Sequence, residues 1–335
     1  MKLRRSPLIA ACALGASLLA HPASASYLDR DEVKGFVHDL ANRHGLDPAA
    51  VGASLAQASF EPRVIELIKP PSKPGVRSWQ RYRARFLDAV RINGGLAFWA
   101  EHEASLKRAA ERYGVAPEFI VAIIGVETVY GRHTGNFSTL SALATLAFDY
   151  PPRADLFRRE LENLFLLARE QQRDPASYYG SYAGALGYPQ FLPSSVRNYA
   201  VDFDGDGRID FDADPQDAIG SVAHYLHAHG WEPGAAVAVR AVLTPEATPA
   251  PLVAAGIEPS LDAATLDAAG VRALGIQPVD AMATLVDLET PGAATEYWLG
   301  YRNFYVITRY NRSSFYAMSV FQLAEALRAA RTAAR

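Results

Sequence analysis

Glu127 stands near the end of the run Pro117-Glu118-Phe119-Ile120-Val121-Ala122-Ile123-Ile124-Gly125-Val126-Glu127-Thr128, which is apolar nearly all round a helical turn. A helix of that pattern, with proline in its first turn, belongs at the centre of a core. Burial and the negative end of the helix dipole both raise the pKa of a carboxyl placed there. An acid that stays protonated near neutral pH is what protonation of a glycosidic oxygen requires. The same pattern equally accommodates a structural glutamate paired with an arginine or a backbone amide.

Two further stretches carry chemistry. Asp202-Phe203-Asp204-Gly205-Asp206-Gly207-Arg208-Ile209-Asp210 sets carboxylates at positions 1, 3, 5 and 9 of a loop, with Gly207 at the sharp turn and Ile209 free to pack inward. Alternate residues of a tight loop converge on one centre, and Ca²⁺ takes about six to eight oxygens. Asp202, Asp204 and Asp206, with the carbonyl of Arg208, are therefore candidate ligands of a structural ion. Position 12 is Ala213 rather than the usual glutamate, and Asp212, Asp214 and Asp217 follow, so the closing ligand comes from a longer loop. A polar turn capping the next helix would use the same residues without metal, but its carboxylates would repel one another. The segment Gly180 to Ser195 mixes glycines, which permit close backbone approach, with Ser181, Tyr188 and Gln190 as donors and acceptors. It suits the wall of a sugar cleft, or a tight interhelical loop.

These residues sit in a chain of 335, 50% hydrophobic and 21% charged, with a formal net charge of -3. That composition disfavours disorder, collagen-like repeats and coiled coils, and offers no basic face for nucleic acid. Lys2, Arg4 and Arg5, the apolar stretch Leu8 to Ala20 and the small residues Ala23-Ser24-Ala25 form a cleavable secretory leader. Cleavage removes Cys12, the single cysteine, which disfavours lipoprotein anchoring at Cys12 and leaves no disulfide. No later run is apolar enough to span a bilayer. Helical periodicity dominates to about residue 230. Asp29-Arg30-Asp31 can cap a first helix, Asp47-Pro48 starts a second, and Lys69 to Gly75 forms an extended connector. Helices follow at about 79–92, 95–113, 117–130, 138–148, 153–172 and 215–229. Beyond Gly230 the runs Val237-Ala238-Val239 and Leu285-Val286-Asp287-Leu288 read as strands and Ala263 to Ala273 as a helix. Phe304 to Asn311 then leads into a last helix at about 314–330. The expected fold is mainly α, a helical core carrying a small β-containing insertion.

In combination, these stretches resemble lytic murein transglycosylase B. The resemblance rests on Gly125-Val126-Glu127-Thr128-Val129-Tyr130-Gly131, Ala142-Leu143-Ala144-Thr145-Leu146, Tyr150-Pro151 with Arg153, Gly184 to Ser195, the Asp-rich loop, Asp217 to Ala223, and Tyr305 to Asn311. They fall in that family's order and spacing from about Tyr82 onward, most weakly over 232–300. The resemblance implies a periplasmic enzyme that cuts peptidoglycan glycan strands between N-acetylmuramic acid and N-acetylglucosamine without water, leaving 1,6-anhydromuramoyl ends. It implies a lysozyme-like helical core with an additional helical domain, a small β domain, an EF-hand-like calcium loop and no organic cofactor. Proteins of cell-wall synthesis or remodelling are the implied partners. The chain then divides into a leader (1–25), an N-terminal helical region (26–78), the core with its calcium-like loop (79–230), the β-containing domain (231–300) and a return to the core (301–335).

Carried over by motif, Glu127 is the single acid/base. Tyr82, Arg153, Ser181, Gln190, Tyr225, Tyr310, Asn311 and Tyr316 match substrate-cleft positions, and Asp217 closes the metal site with Asp202, Asp204 and Asp206. The loop is one residue longer than the family's before Asp217, Asp204 replaces a less acidic ligand, and Pro189 stands where glycine is frequent. The alternatives are a hydrolytic muramidase with a second carboxylate and a non-catalytic, calcium-stabilised peptidoglycan-binding protein.

Overall fold

The computed structural model describes residues 27–70, 75–275, 278 and 280–333. The expected leader, with Cys12, and part of the proline-rich connector lie outside the described residues. Among those described, the helical part runs α1 (Asp31–His44), α2 (Pro48–Leu55), α3 (Pro62–Ile68), α4 (Trp79–Arg83), α5 (Ala89–Glu101), α6 (Glu103–Tyr113), α7 (Pro117–Thr128), β1 (Phe137–Ser138), α8 (Thr139–Asp149), α9 (Ala154–Glu170), β2 (Tyr179–Gly180), α10 (Pro193–Tyr199) and α11 (Pro215–Ala228). Next come β3 (Ala238–Leu243), α12 (Pro249–Ala254), α13 (Ala263–Ala268), β4 (Val271–Ala273), β5 (Thr284–Leu288) and β6 (Glu296–Gly300), then α14 (Arg302–Tyr310) and α15 (Ser314–Ala333).

α7 lies at the centre because its sequence offers no polar face: Phe119 through Val126 are all buried. α5, α6, α11 and α15 pack around it. α8 is buried from Thr139 to Phe148, and its hydroxyls bind the N-terminal helices. Ser141 Oγ accepts from the Ser59 N–H and Thr145 Oγ1 from the Glu61 N–H, both at 3.0 Å. α2 starts on Asp47 and Pro48 as its sequence predicts. The cap expected for α1 does not form: Arg30 occupies that position without a side-chain bond, and Asp31 instead pairs with Lys34.

Helix breaks separate segments that periodicity joins. The expected helix over 79–92 is two, because Asp88 accepts the Arg91 N–H at 2.8 Å and restarts the chain as α5. The next splits at His102, whose backbone leaves helical geometry (φ -110, ψ 27). α13 stops at Ala268 rather than Ala273, since Gly270 at φ +74 turns the chain into β4. Phe304 to Tyr310 lies within a helix of its own, α14, with Phe304, Val306 and Ile307 buried.

The larger sheet is antiparallel, in the order β4-β3-β6-β5. Alternation along its strands gives it two apolar faces. Ala241, Leu285 and Leu299 build a separate cluster with Leu252 of α12 and Leu266 of α13. Ala238, Val286, Leu288 and Trp298, on the other face, join the helical core.

Candidate active site

α7 ends one residue after Glu127 because Val129 and Tyr130 both take left-handed backbone, φ 52 and φ 60. For a β-branched and a bulky residue that geometry costs energy and must be held by its surroundings. Tyr130 supplies the hold. Its ring fills a socket of glycines, such that a Cβ at Gly95 or Gly125 would lie 2.4 Å from its hydroxyl. That hydroxyl donates to Arg91 O at 2.7 Å, and Arg91 Nε donates to Gly125 O at 3.1 Å. Thr128 Oγ1 donates to Tyr188 O and accepts from the Gly131 N–H, each at 3.0 Å. The end of α7 is thus fixed to α5 on one side and to the Gly180–Ser195 segment on the other.

Tyr316, in the first turn of α15, donates to Glu127 Oε1 at 2.6 Å. Tyr310 stacks beside it (6.4 Å, 15°) and Tyr225 packs edge-on against Tyr310 at 4.9 Å. The Tyr310 hydroxyl donates to Pro189 O at 2.6 Å, and that of Tyr225 to Arg309 O at 2.7 Å. Glu127 keeps partial access to solvent. Burial nevertheless pushes its carboxyl up to about 7, and the Tyr316 hydrogen bond is the one influence pulling it down. No second carboxylate among the described residues acts on it. Tyr316 and Tyr310 are held well above the ordinary phenol value, first by burial and then by the Glu127 charge, so both remain donors. Tyr82, on α4, is raised by burial and then by Glu127.

The Gly180–Ser195 segment folds back on itself. Ser181 Oγ accepts from the Ala185 N–H (3.1 Å) and the Ala183 N–H (3.3 Å). Gln190, at φ 52, donates through Nε2 to Thr134 O and Gly187 O, both at 3.0 Å. Its Oε1 has no partner among the described residues and is the atom left for a ligand. Only glycine fits at Gly184 and Gly187, where a Cβ would meet Leu143 at 2.5 Å and Phe211 at 2.4 Å. The segment is anchored where α10 begins: Glu160, 5% exposed, accepts from the Ser194 N–H (3.0 Å) and the Ser194 hydroxyl (2.7 Å).

In the Asp-rich loop, oxygens of Asp202, Asp204 and Asp217 all lie within 4.8 Å of one another. Asp217, 2% exposed, accepts from the Phe203 N–H (2.7 Å) and the Asp210 N–H (2.8 Å). Burial pushes its carboxyl up against the pull of those bonds, and the Asp202 charge adds to the rise. Asp206 is not one of these three; its carboxylate accepts the Arg208 N–H at 2.8 Å, as Asp204 accepts the Asp206 N–H at 3.0 Å. The loop is joined to the Gly180–Ser195 segment, since the Tyr188 N–H donates to Phe211 O at 3.0 Å.

The family described as Transglycosylase SLT domain matches residues 29–325. Over 314 residues the chain is 43% identical to the membrane-bound lytic murein transglycosylase B of Escherichia coli strain K12, covering 91% of this chain and 85% of that one. This chain belongs to the lytic transglycosylase family. Among solved structures, the soluble lytic transglycosylase SltB1 of Pseudomonas aeruginosa is similar with a TM-score of 0.84 at 46% identity, over 90% of this chain and 99% of that one. The Escherichia coli lytic transglycosylase Slt35 in complex with calcium gives 0.81 at 44% identity, over 89% and 93%. The protein is accordingly an enzyme, with the helical fold of that family.

In this lytic transglycosylase the expected cleft residues fall into three groups. Tyr316 touches Glu127, and Tyr82 is within reach of its charge. Tyr310 is tied to Pro189 in the segment that carries Ser181 and Gln190, while Tyr225 is buried with its hydroxyl engaged and backs Tyr310. Asn311 is exposed just past α14, and Arg153 is exposed with its guanidinium 5.2 Å over the Phe157 ring; neither contacts Glu127. Sequence reasoning missed Thr128, Tyr130 and Glu160. The glycine pair Gly94-Gly95 and Gly125 were the signal for Tyr130, since a glycine inside a helix marks a close approach.

Proposed function

We propose that this enzyme cleaves the β-1,4 bond between N-acetylmuramic acid and N-acetylglucosamine in peptidoglycan without water, with Glu127 as its single acid/base. The observation that carries this reading is the isolation of Glu127. Its carboxyl is raised to about 7, so that both forms are accessible near neutral pH, with Tyr316 and no second carboxylate among the described residues acting on it. Ordinary glycosidases use a carboxylate pair. A lone group suffices when the substrate supplies the nucleophile. Glu127 gives its proton to the glycosidic oxygen as the C1–O bond breaks, and the leaving sugar departs as an alcohol. The resulting carboxylate then takes the proton of the muramoyl 6-hydroxyl, whose oxygen bonds to C1. The proton returns to Glu127, and the product is a 1,6-anhydro ring. Proximity within one sugar replaces a positioned water.

Tyr82, Ser181, Gln190, Tyr310 and Tyr316 line the path of the glycan beside Glu127. Asn311 and Arg153 lie further out, where acetamido and carboxylate groups of the substrate would reach them. Three convergent carboxylates suit a hard divalent cation, and Slt35 was solved with calcium. Asp202, Asp204 and Asp217 would hold Ca²⁺, which when bound neutralises their mutual repulsion and stiffens the loop behind Tyr188. The leader pattern of residues 1–25 supports action in the periplasm after their removal. The division at about residues 78, 230 and 300 fits the separate apolar cluster beneath the sheet.

Mass spectrometry of soluble products from digested sacculi tests the reading. Muropeptides one water lighter than their hydrolysed forms are expected. Reducing-end products would replace it with a muramidase, and no products at all with a binding protein.

A further inference from the structure

A groove of about 780 Å³ opens between the larger sheet and α15, and none of the groups around Glu127 lines it. α4 separates the two sites: its Tyr82 faces Glu127, while Trp79, Gln80 and Arg83 line the groove. Strand register explains what the sheet contributes. Arg240 pairs with Trp298, and Glu296 lies two residues before Trp298, so all three side chains share the face turned to α15. Trp298 meets Phe321 edge-on at 5.9 Å, and Arg83 Nε donates to Gln322 Oε1 at 2.6 Å.

We propose that this groove is an accessory saccharide site that holds a second stretch of glycan while the cleft acts on the first. The proposal rests on the reading of the Glu127 cleft as a peptidoglycan-cleaving site. The lining fits that ligand class. Its charged residues are Arg83, Arg240, Glu296 and Glu325, which sum to no net charge. A nucleic acid or an acidic peptide would need a positive lining. A neutral sugar chain instead takes aromatic rings for its apolar faces and planar polar side chains for its hydroxyls and acetamido groups, and Trp298, Phe321 and the Arg83–Gln322 pair provide both. Trp79, 2% exposed, backs the groove from within the core. Trp79 also stacks with Tyr82 (6.4 Å, 21°), so an occupant of the groove steadies the helix that carries a cleft residue.

The test titrates β-1,4-linked tetra-N-acetylglucosamine into Glu127→Gln protein by calorimetry, alone and with Trp298→Ala or Arg240→Ala added, and soaks crystals of each. Two sites per chain are expected, one of them lost with either added substitution. Arg240 is exposed, so its variant leaves packing intact. In the active background each substitution should leave turnover of a short soluble muropeptide unchanged and slow sacculus digestion by about three- to tenfold through lost bivalency. A single site at Glu127 in all the proteins, or an unchanged sacculus rate, would overturn the proposal. So would occupancy of the groove by a free stem tetrapeptide and not by the oligosaccharide. Groove binding in a protein that cleaves no sacculi would sink the functional reading and leave the saccharide site standing.

Discussion

Replacing Tyr316 by phenylalanine removes one atom from the site, the oxygen that donates to Glu127 Oε1 at 2.6 Å. A hydrogen bond to an ionised group contributes roughly 1.5–3 kcal/mol, and 1.36 kcal/mol corresponds to one pH unit, so its loss should raise the Glu127 pKa by about one to two units. The sign follows from the bond favouring the anion: without it burial acts unopposed, and a carboxyl at about 7 moves further up. The basic limb of the kcat/KM–pH profile on sacculi should therefore shift to higher pH by that amount. At neutral pH the variant should be slower, because a weaker acid gives its proton to the glycosidic oxygen less readily. Stability gives a second readout. A carboxyl raised from 4.5 to about 7 contributes stability fully present below pH 4.5 and lost as pH rises through 7. In the variant that loss should begin at the same pH, set by the unfolded carboxyl, but end at higher pH and be larger by about 1.5–3 kcal/mol. An unmoved basic limb, or one moved downward, would refute the reasoning, because it would mean that Tyr316 does not stabilise the charge on Glu127.

Glu127→Gln cannot donate the proton and should lose about 10²–10⁴-fold in rate while folding normally. Above pH 8 the same variant should melt higher than the parent, because a buried ionised carboxylate costing about 3 kcal/mol is gone; equal melting would contradict the raised pKa. Added Ca²⁺ should raise the melting temperature relative to chelator, and Asp217→Asn should abolish the difference, since a ligand of the native state alone stabilises it. Indifference of the parent to both would show that the three aspartates do not bind Ca²⁺. Thr128→Val keeps the shape of the side chain but strands Tyr188 O and the Gly131 N–H, and should cost about 1–3 kcal/mol in urea unfolding. A change within a few tenths would mean that those bonds do not hold the end of α7.

Much of the site was legible because its chemistry is local in sequence. α7 could be placed in the core from its unbroken apolar run, and Glu127 near its end from the residue that breaks the run. The Asp-rich loop announced its convergence through spacing for Asp202 and Asp204, while Asp217 is brought in by α11 from beyond the twelfth loop position. α3, α10 and α12 went unrecognised although each starts with proline in its first turn, because none is long enough to show a period. The breaks at His102 and between α4 and α5 were hidden for the opposite reason, since apolar spacing continued across them. Tyr130 was not reached at all, and Tyr316 only through the family resemblance. Their partners are Arg91 and Glu127, and only the tertiary fold sets those pairs side by side.

A single carboxyl that must serve first as acid and then as base works only if neither form is strongly preferred at the working pH. Burial alone would leave Glu127 too weak an acid to give up its proton readily in the first transfer. A carboxylate held by two or three donors would be ionised, with no proton to give and too weak a base for the second. The structure opposes one large effect with one hydrogen bond, and it protects the balance by making Tyr316 a donor that cannot ionise in competition. Burial and the Glu127 charge hold the Tyr316 hydroxyl protonated, and the stacked Tyr310, itself tied to Pro189, keeps its ring in place. The same tie runs from Tyr310 to the wall segment and, through Tyr188, on to the Asp-rich loop. Loosening that loop by removing its carboxylates should therefore broaden the pH profile as well as lower stability, a coupling measurable in Asp217→Asn as a change in the basic limb.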